Sequence, residues 1–158
     1  IQHFLQEYEK NIVPISHKLN RAVIHNDGND HNVIVNKNNR AHGIIDFGDM
    51  VHTYIACEPA VCIAYMVLGK KAPFNTAAQL LKGYNQVFPL SRDELMSVIY
   101  LVCTRLCITV TMAAYRKNLF PDNTYISVSD DLAWDFLEYM QVQDLNDWAE
   151  KLLHYVDR

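Results

Sequence analysis

A chain of 158 residues, half of them hydrophobic, is long enough to bury the core of a globular protein, and we expect residues 1–158 to form a single domain. The formal net charge of −4, without any basic stretch, argues against a nucleic-acid-binding surface. The four cysteines show no paired short spacings and no signal peptide precedes them, which favours a cytoplasmic location.

Residues 1–20 are predicted to form a helix that is interrupted at Pro14, because the proline ring removes a hydrogen-bond donor and clashes with the preceding turn. Apolar residues predict its buried face: Phe4, Leu5, Tyr8, Ile12 and Ile15.

A β-hairpin is predicted next, because two apolar runs flank a polar turn. The runs are Val33–Val35 and Gly43–Ile45. If Val35 pairs with Gly43, Asn32 lies directly opposite Asp46 on the same face of the ribbon, about 4.5–5.5 Å away.

The side chains at the end of this hairpin suggest a metal site. An amide and a carboxylate oxygen at that spacing can both reach one hard cation such as Mg²⁺, whose bonds to oxygen are about 2.0–2.1 Å long. Asp27 lies in the loop just before the hairpin, close enough to act on a substrate held beside the cation. We therefore predict that Asn32 and Asp46 bind Mg²⁺ next to Asp27.

These residues also form a recognisable pattern. His25-x-Asp27-x-x-x-x-Asn32, followed by Ile45-Asp46-Phe47-Gly48-Asp49, resembles the catalytic and metal-binding loops of protein-kinase-like phosphotransferases. The sequence of these two loops is most similar to that of the aminoglycoside phosphotransferase and choline kinase family, and within it to the hydroxylysine kinase-like members. The resemblance covers residues 22–120, and Asn26 departs from it because the family usually has glycine there.

The resemblance implies a role for each residue of the pattern. Asp27 would orient the acceptor hydroxyl and accept its proton, a task that needs positioning more than a strong base. Asn32 and Asp46 would hold Mg²⁺, which bridges the phosphates of ATP or GTP.

Five further residues would support this site. His25 would hydrogen-bond backbone near the metal loop, and Gly48 would permit a sharp turn after Asp46. Asp49 would support the metal shell or cap the next helix, while Phe47 would anchor the segment in apolar surroundings. Glu58 would brace the catalytic loop through its backbone N–H groups, or else lie exposed on the first turn of a helix.

Two other functions fit parts of the pattern. A metal-dependent phosphohydrolase could use a His and Asp centre, which would comprise His25, Asp27, His31, Asp46 and Asp49. That reading leaves Asn32 and Phe47-Gly48 without a role. A non-catalytic binding or regulatory module could also have kept the kinase shape.

Three helices are predicted in the middle of the chain. The first covers residues 51–69 and stops at Gly69. The second begins with Asn75 as its N-cap and runs to about Val87. The third opens with a capping box at residues 91–94 and runs to about Lys117.

The third of these helices contains an apolar stretch, Val98–Tyr115, that is long enough to cross a membrane. Arg105 at its centre instead favours a core helix, and we expect no membrane partner. A guanidinium in such surroundings must find an anion. That anion is either the carboxylate of an amino-acid-like substrate or an internal acid such as Glu58.

The remaining residues, 122–158, are acidic and predict two helices, around residues 132–140 and 145–155. Acids on such helices usually form solvated faces. In the resembled family, C-terminal acids line the pocket for amine-bearing substrates, which makes Asp130, Asp131 and Asp135 candidates for holding an ammonium group.

Together these features predict an α+β, mostly helical chain: the C-terminal lobe of a protein-kinase-like fold, with a small antiparallel β-hairpin carrying the active site. The expected acceptor is a hydroxylated amino acid such as hydroxylysine, followed by ethanolamine- or choline-like alcohols and aminoglycosides. The family's N-terminal nucleotide-covering lobe is missing from this sequence, so we expect the chain to belong to a longer parent protein, which could contain further fused domains. We expect negligible turnover by the chain alone.

Overall fold

The computed structural model describes residues 1–38, 40–120 and 130–158, the side chain of Asp130 excepted. Six α-helices surround two short antiparallel ribbons in this part of the chain. The elements are α1 (Gln2–Asn11), a 3₁₀ segment (Val13–Lys18), β1 (Arg21–Ile24), β2 (Val33–Val35), β3 (Ala41–Ile44), a 3₁₀ turn (Phe47–Asp49), β4 (Val51–Tyr54), α2 (Cys57–Met66), α3 (Pro73–Val87), α4 (Arg92–Leu119), α5 (Asp130–Gln141) and α6 (Leu145–Val156). The mostly helical architecture with a small antiparallel component agrees with the prediction.

Helix α4 is the centre of the hydrophobic core and packs against α1, α2, α5 and α6. Its predicted capping box is confirmed: Ser91 Oγ accepts a hydrogen bond from the N–H of Glu94, whose carboxylate accepts one from the N–H of Ser91 at 2.7 Å. The other oxygen of buried Glu94 accepts from the N–H of Asn20 at 3.0 Å. One carboxylate therefore ties the start of α4 to the segment that leads into β1.

The length and composition of α4 alone would allow it to cross a membrane, but 61% of its most apolar 18-residue window is buried inside the protein. Residues such as Val98, Val102 and Leu106 are fully enclosed by neighbouring helices. In this fold α4 is a core helix, as Arg105 suggested.

The N-terminal segment follows its prediction in outline. Helix α1 ends at Asn11 and a 3₁₀ segment containing Pro14 follows, because proline cannot continue the α-helical hydrogen bonding. Phe4 and Ile12 are buried as expected. Leu5 is exposed, so its assignment to the buried face was wrong.

The helix predicted over residues 51–69 begins later than expected. Val51–Tyr54 form strand β4, which pairs with β1 in the register Arg21↔Tyr54 to Ile24↔Val51. The helical part ends at Met66, and Gly69, at φ 67°, lies beyond it. Val51, Thr53 and Tyr54 are of the β-branched and aromatic types that favour strands, and this signal was missed when the helix was extended back to residue 51.

Helix α3 begins at Pro73, and its N-cap position is Ala72, which has no side-chain hydrogen bond. Asn75 lies inside the first turn, so its prediction as the N-cap was wrong. The sequence offered a simpler start signal, because proline is favoured at the first helical position. The two C-terminal helices are present, and Asp144 caps α6 through the N–H groups of Asn146 and Asp147.

Candidate active site

The strand pairing brings two loops together. Strand β1 pairs with β4, and β2 pairs with β3. Residues 25–32 join β1 to β2, while residues 45–50 join β3 to β4. Since the two connections span the same pair of ribbons, they lie side by side, and these are the loops in which the sequence pattern predicted the catalytic and metal-binding residues.

Asp27 is held at both oxygens of its carboxylate. Oδ2 accepts a hydrogen bond from Asn32 Nδ2 at 2.7 Å, and Oδ1 lies 3.4 Å from Nη2 of Arg105. The Asp27 side chain is 18% exposed, so solvent and a small ligand can still reach it. A carboxylate fixed in this way suits the positioning of a hydroxyl group.

The amide of Asn32 has a defined orientation. Nδ2 donates both to the Asp27 carboxylate and to the Asp27 backbone carbonyl, the latter at 2.9 Å. Both amide hydrogens are thereby used, and Oδ1 is left as the acceptor. This is the atom that a metal ligand requires, so the residue fits the proposed Mg²⁺ role.

The loop that carries Asn32 is shaped by a residue that the sequence reading missed. Asn29 Oδ1 accepts from the N–H of His31 at 2.8 Å and from the N–H of Asn32 at 3.2 Å. Asn in a loop commonly organises the next turn in this way, which is the signal that could have revealed it.

The predicted hairpin exists, but its register was wrong by one residue. Val33 pairs with Ile44 and Ile34 with Gly43, and a bulge then places Val35 opposite Ala41. The N–H of Ile45 donates to the carbonyl of Asn32 at 3.0 Å, so Asn32 lies opposite Ile45 and not opposite Asp46. Counting from a regular turn cannot reveal a bulge.

The position of Asp46 is determined by a turn of the backbone, and not by hydrogen bonding between β2 and β3. Its φ is 64°, a left-handed conformation in which Asp is one of the few tolerated non-glycine residues. Its Oδ1 accepts from the N–H of Gly48 at 3.4 Å. Gly48 itself has no positive φ, so the prediction that Gly48 supplies the sharp turn was wrong.

His25 links the two loops. Nε2 lies 3.0 Å from the carbonyl oxygen of Ile45, and Nδ1 accepts from the N–H of Asp27 at 3.3 Å. These partners fit the neutral tautomer with its proton on Nε2. His25 is therefore in contact with backbone on both sides, as the resemblance implied.

The other predicted supporting residues of the metal loop behave differently from expectation. Phe47 packs edge-to-face on the His25 ring at 5.1 Å between centroids, but it is 56% exposed and not enclosed by apolar neighbours. Asp49 precedes strand β4, so it caps no helix; its carbonyl oxygen accepts from Asn26 Nδ2 at 3.4 Å.

Glu58, on the first turn of α2, contacts the catalytic loop. Its Oε2 accepts from the N–H of Asn26 at 3.1 Å, which is the bracing contact that the resemblance implied. Asn26 needs this support because its φ is 63°. Gly28 also lies against Glu58, since a Cβ there would meet Oε1 at 3.2 Å.

Arg105 reaches the same loop from the middle of α4. Besides its contact with Asp27, Nη2 donates to the hydroxyl of Tyr65 at 3.2 Å, and the guanidinium lies 5.7 Å from the Tyr65 ring centre. The suggested partner Glu58 was wrong, because the guanidinium contacts Asp27 and Tyr65 instead. Tyr65 was missed by the sequence reading, although its spacing of seven residues from Glu58 puts both on one face of α2.

A cavity of about 240 Å³ opens beside Arg105 and Asn26. Arg105 is the one formally charged side chain in its lining, which otherwise combines aromatic, hydroxyl and apolar groups: Tyr8, Asn26, Thr53, Tyr54, Cys57, Ala60, Val61, Leu101, Thr104 and Ile108. Burial raises the pKa of Cys57 to about 11 and also raises the pKa of Tyr8. The thiol and the phenol are therefore neutral near pH 7.

Asp131 and Asp135, two of the acidic candidates on α5, do not line this cavity. Asp131 and Asp135 are exposed to solvent, as expected for a solvated helix face. The side chain of Asp130 lies outside the described residues.

The phosphohydrolase hypothesis required His25, Asp27, His31, Asp46 and Asp49 to gather around a metal ion. Within the described ranges, no group of three or more His, Cys, Asp or Glu side chains is placed to hold one. His31 is exposed and pairs only loosely with Asp30, at 4.0 Å. The hypothesis is therefore wrong for this fold. The donors that remain, the Asn32 amide oxygen and the Asp46 carboxylate, are oxygen ligands of the kind that Mg²⁺ prefers.

The two loops bring together the residues that the sequence pattern predicted for a phosphotransferase. Comparison with family models agrees: residues 1–95 match the phosphotransferase enzyme family APH, and the chain belongs to that family.

Among individual proteins, the chain is similar to hydroxylysine kinase from Bos taurus, with 29% identity over 149 residues that cover 89% of this chain and 40% of the relative. The corresponding Mus musculus protein is 28% identical over 149 residues, covering 89% and 40%, and the Xenopus laevis protein is 29% identical over 148 residues, covering 87% and 40%. The chain thus spans about 40% of the length of these relatives. No solved structure matches it.

Proposed function

We propose that this chain forms the acceptor- and metal-binding lobe of a small-molecule kinase. The reaction would transfer the γ-phosphoryl group of ATP or GTP to a hydroxyl group of a hydroxylated amino acid, with a hydroxylysine-like compound as the leading acceptor. Family membership and the similarity to proteins named hydroxylysine kinase support this class of substrate.

One observation carries the proposal. The Asp27 carboxylate is held by Asn32 at 2.7 Å in a manner that leaves the amide oxygen of Asn32 as an acceptor. This arrangement combines a group that can orient a hydroxyl with a group that can bind a cation, which is what phosphoryl transfer asks of a protein.

The residues would divide the work as follows. An acceptor hydroxyl placed next to Asp27 would donate its hydrogen bond to that carboxylate and lose its proton to it as the oxygen attacks the γ-phosphorus and the nucleoside diphosphate leaves. Asn32 Oδ1 and the Asp46 carboxylate would hold Mg²⁺. Mg²⁺ held there would neutralise negative charge on the phosphates and so stabilise the nucleoside diphosphate as the leaving group.

We also propose that a further lobe covers the ribbons and the nucleotide. Apolar side chains on and between the strands are unusually exposed, among them Val23 at 61%, Val35 at 55% and Phe47 at 56%. An uncovered apolar surface of this kind is typical of an interaction site. Without that lobe we expect negligible turnover from this chain.

The test is a transfer assay with the full-length protein and MgATP or MgGTP, using hydroxylysine, ethanolamine, choline and an aminoglycoside as acceptors. We expect a phosphorylated product that depends on acceptor and Mg²⁺ and is lost on Asp27→Asn. The exposed Asp157→Asn variant is the matched control and should retain the activity. Absence of Mg²⁺-dependent nucleotide consumption with every acceptor would contradict the proposal and favour a non-catalytic binding module.

A further inference from the structure

Arg105 is placed to act on the chemistry through Asp27. Its side chain is only 20% exposed, and it projects from the central core helix to within 3.4 Å of Asp27 Oδ1. The opposite oxygen of the same carboxylate is held by Asn32. The carboxylate is therefore fixed from two sides by donors that come from distant parts of the chain.

A second contact fixes the guanidinium itself. The Tyr65 hydroxyl accepts from Nη2 at 3.2 Å, and the Tyr65 ring lies beside the planar group at 5.7 Å. Arginine is charged at all ordinary pH values, and its Nη2 contacts both the Tyr65 hydroxyl and Asp27 Oδ1, while the Tyr65 ring lies beside the planar group. Tyr65 thus limits the directions from which Arg105 can approach Asp27.

The surroundings of Arg105 argue against a purely packing role. Its Nε is buried and has no hydrogen-bond partner, which is unfavourable for the folded state. An apolar side chain of similar volume would avoid that cost. The favourable interaction of the guanidinium is therefore the one that Nη2 makes with the carboxylate of Asp27.

We propose that Tyr65 and Arg105 form a positioning pair that orients the Asp27 carboxylate toward the acceptor hydroxyl. The inference rests on the proposed phosphotransferase function and assigns Arg105 to the reacting carboxylate instead of to a carboxylate of the acceptor. A residue that positions a reacting group affects turnover, whereas a residue that binds the acceptor equally in ground and transition states affects KM.

The experiment compares kcat and the acceptor KM in the full-length protein for wild type, Arg105→Met, Arg105→Lys and Tyr65→Phe. Arg105→Met should lower kcat by roughly 10- to 100-fold, because small misplacements of a reacting group are costly, and should leave KM within about twofold. Arg105→Lys keeps the charge and should recover part of the loss. Tyr65→Phe keeps the guanidinium but frees it, and should lower kcat by about two- to fivefold.

Arg92→Lys is the matched control, because Arg92 lies on the same helix and pairs with Glu150 at the surface, 3.2 Å away. Its kinetics should equal those of the wild type. A rise in KM with unchanged kcat in Arg105→Lys would overturn the proposal and assign Arg105 to the acceptor. Unchanged kcat and KM in Tyr65→Phe and Arg105→Lys would also overturn it.

A double-mutant cycle with Arg105→Met and Asp27→Asn separates this inference from the proposed function. The midpoints of urea unfolding should shift non-additively, because each variant removes one partner of the same contact. Coupling without any phosphoryl transfer by the wild type would support the pair and refute the kinase reaction. Additive shifts would overturn the pairing itself.

Discussion

The conformation of the catalytic loop should depend on one carboxylate. Replacing Glu58 by Ala removes the acceptor that lies 3.1 Å from the N–H of Asn26. Asn26 is held at a φ of 63°, where an ordinary L-residue is disfavoured by about 1–2 kcal/mol. Without the carboxylate, nothing else in the described loop accepts from that N–H, so we expect the loop to open more often.

The magnitude follows from the type of contact. A hydrogen bond to a charged acceptor contributes about 1.5–3 kcal/mol, and each 1.4 kcal/mol changes an equilibrium tenfold. Glu58→Ala should therefore speed exchange of the Asn26 amide hydrogen by about 10- to 150-fold. Asn26→Gly, added to Glu58→Ala, should restore part of the protection, because glycine adopts a positive φ without strain.

The assay is amide hydrogen exchange followed by NMR, with Glu138→Ala as the matched control because Glu138 is an exposed acid on α5. Exchange in the control should equal that of the wild type. The reasoning is refuted if Glu58→Ala leaves Asn26 exchange within about twofold of the wild type while the protein stays folded.

Three further predictions concern Asp27, Glu94 and the two thiols of Cys57 and Cys62. Asp27→Asn should lower the rate of phosphoryl transfer by about 10²- to 10⁴-fold in protein that still folds; a rate within tenfold of the wild type would contradict its role as the proton acceptor. Glu94→Ala should lower the free energy of unfolding by about 2–4 kcal/mol in urea, because two backbone N–H groups lose a buried acceptor; a loss under about 0.5 kcal/mol would contradict this. Burial raises the pKa of Cys57 and Cys62 from 9.0 to about 11, so the unfolded chain releases these protons first. Stability should be independent of these thiols below pH 9 and fall as the pH rises from 9 toward 11, and the Cys57→Ala/Cys62→Ala variant should lose that part of the fall in urea titrations.

The helices could be predicted where local signals and burial agree. Ser91 and Glu94 mark the start of α4 within four residues, and both hydrogen bonds of the capping box form. The apolar spacing in the last part of the chain similarly predicts α5 and α6. These features depend on neighbours close in sequence, so a sequence pattern contains most of what determines them.

The strands could not be predicted as well, because their partners are distant. Val51–Tyr54 are too few to identify a strand from the sequence, and they pair with Arg21–Ile24, about thirty residues earlier in the chain. The register at Asn32 depended on a bulge between Ile34 and Val35 that leaves no mark in the sequence. The residue pattern still identified both loops, since the order of Asp27, Asn32 and Asp46 does not depend on the pairing.

The ion pair of Arg105 could be predicted only in part from the sequence. The sequence requires an anion for a guanidinium inside an apolar helix, and Glu58 and Asp27 are both internal candidates. The fold resolves the choice by distance: Nη2 of Arg105 lies 3.4 Å from Asp27 Oδ1, whereas Glu58 Oε2 accepts from the N–H of Asn26. Asn26 and Asp27 are neighbours in one loop, so α2 and α4 each contact that loop through one charged side chain. Which acid meets Arg105 depends on how these two helices pack against the loop, and no local sequence pattern contains that information.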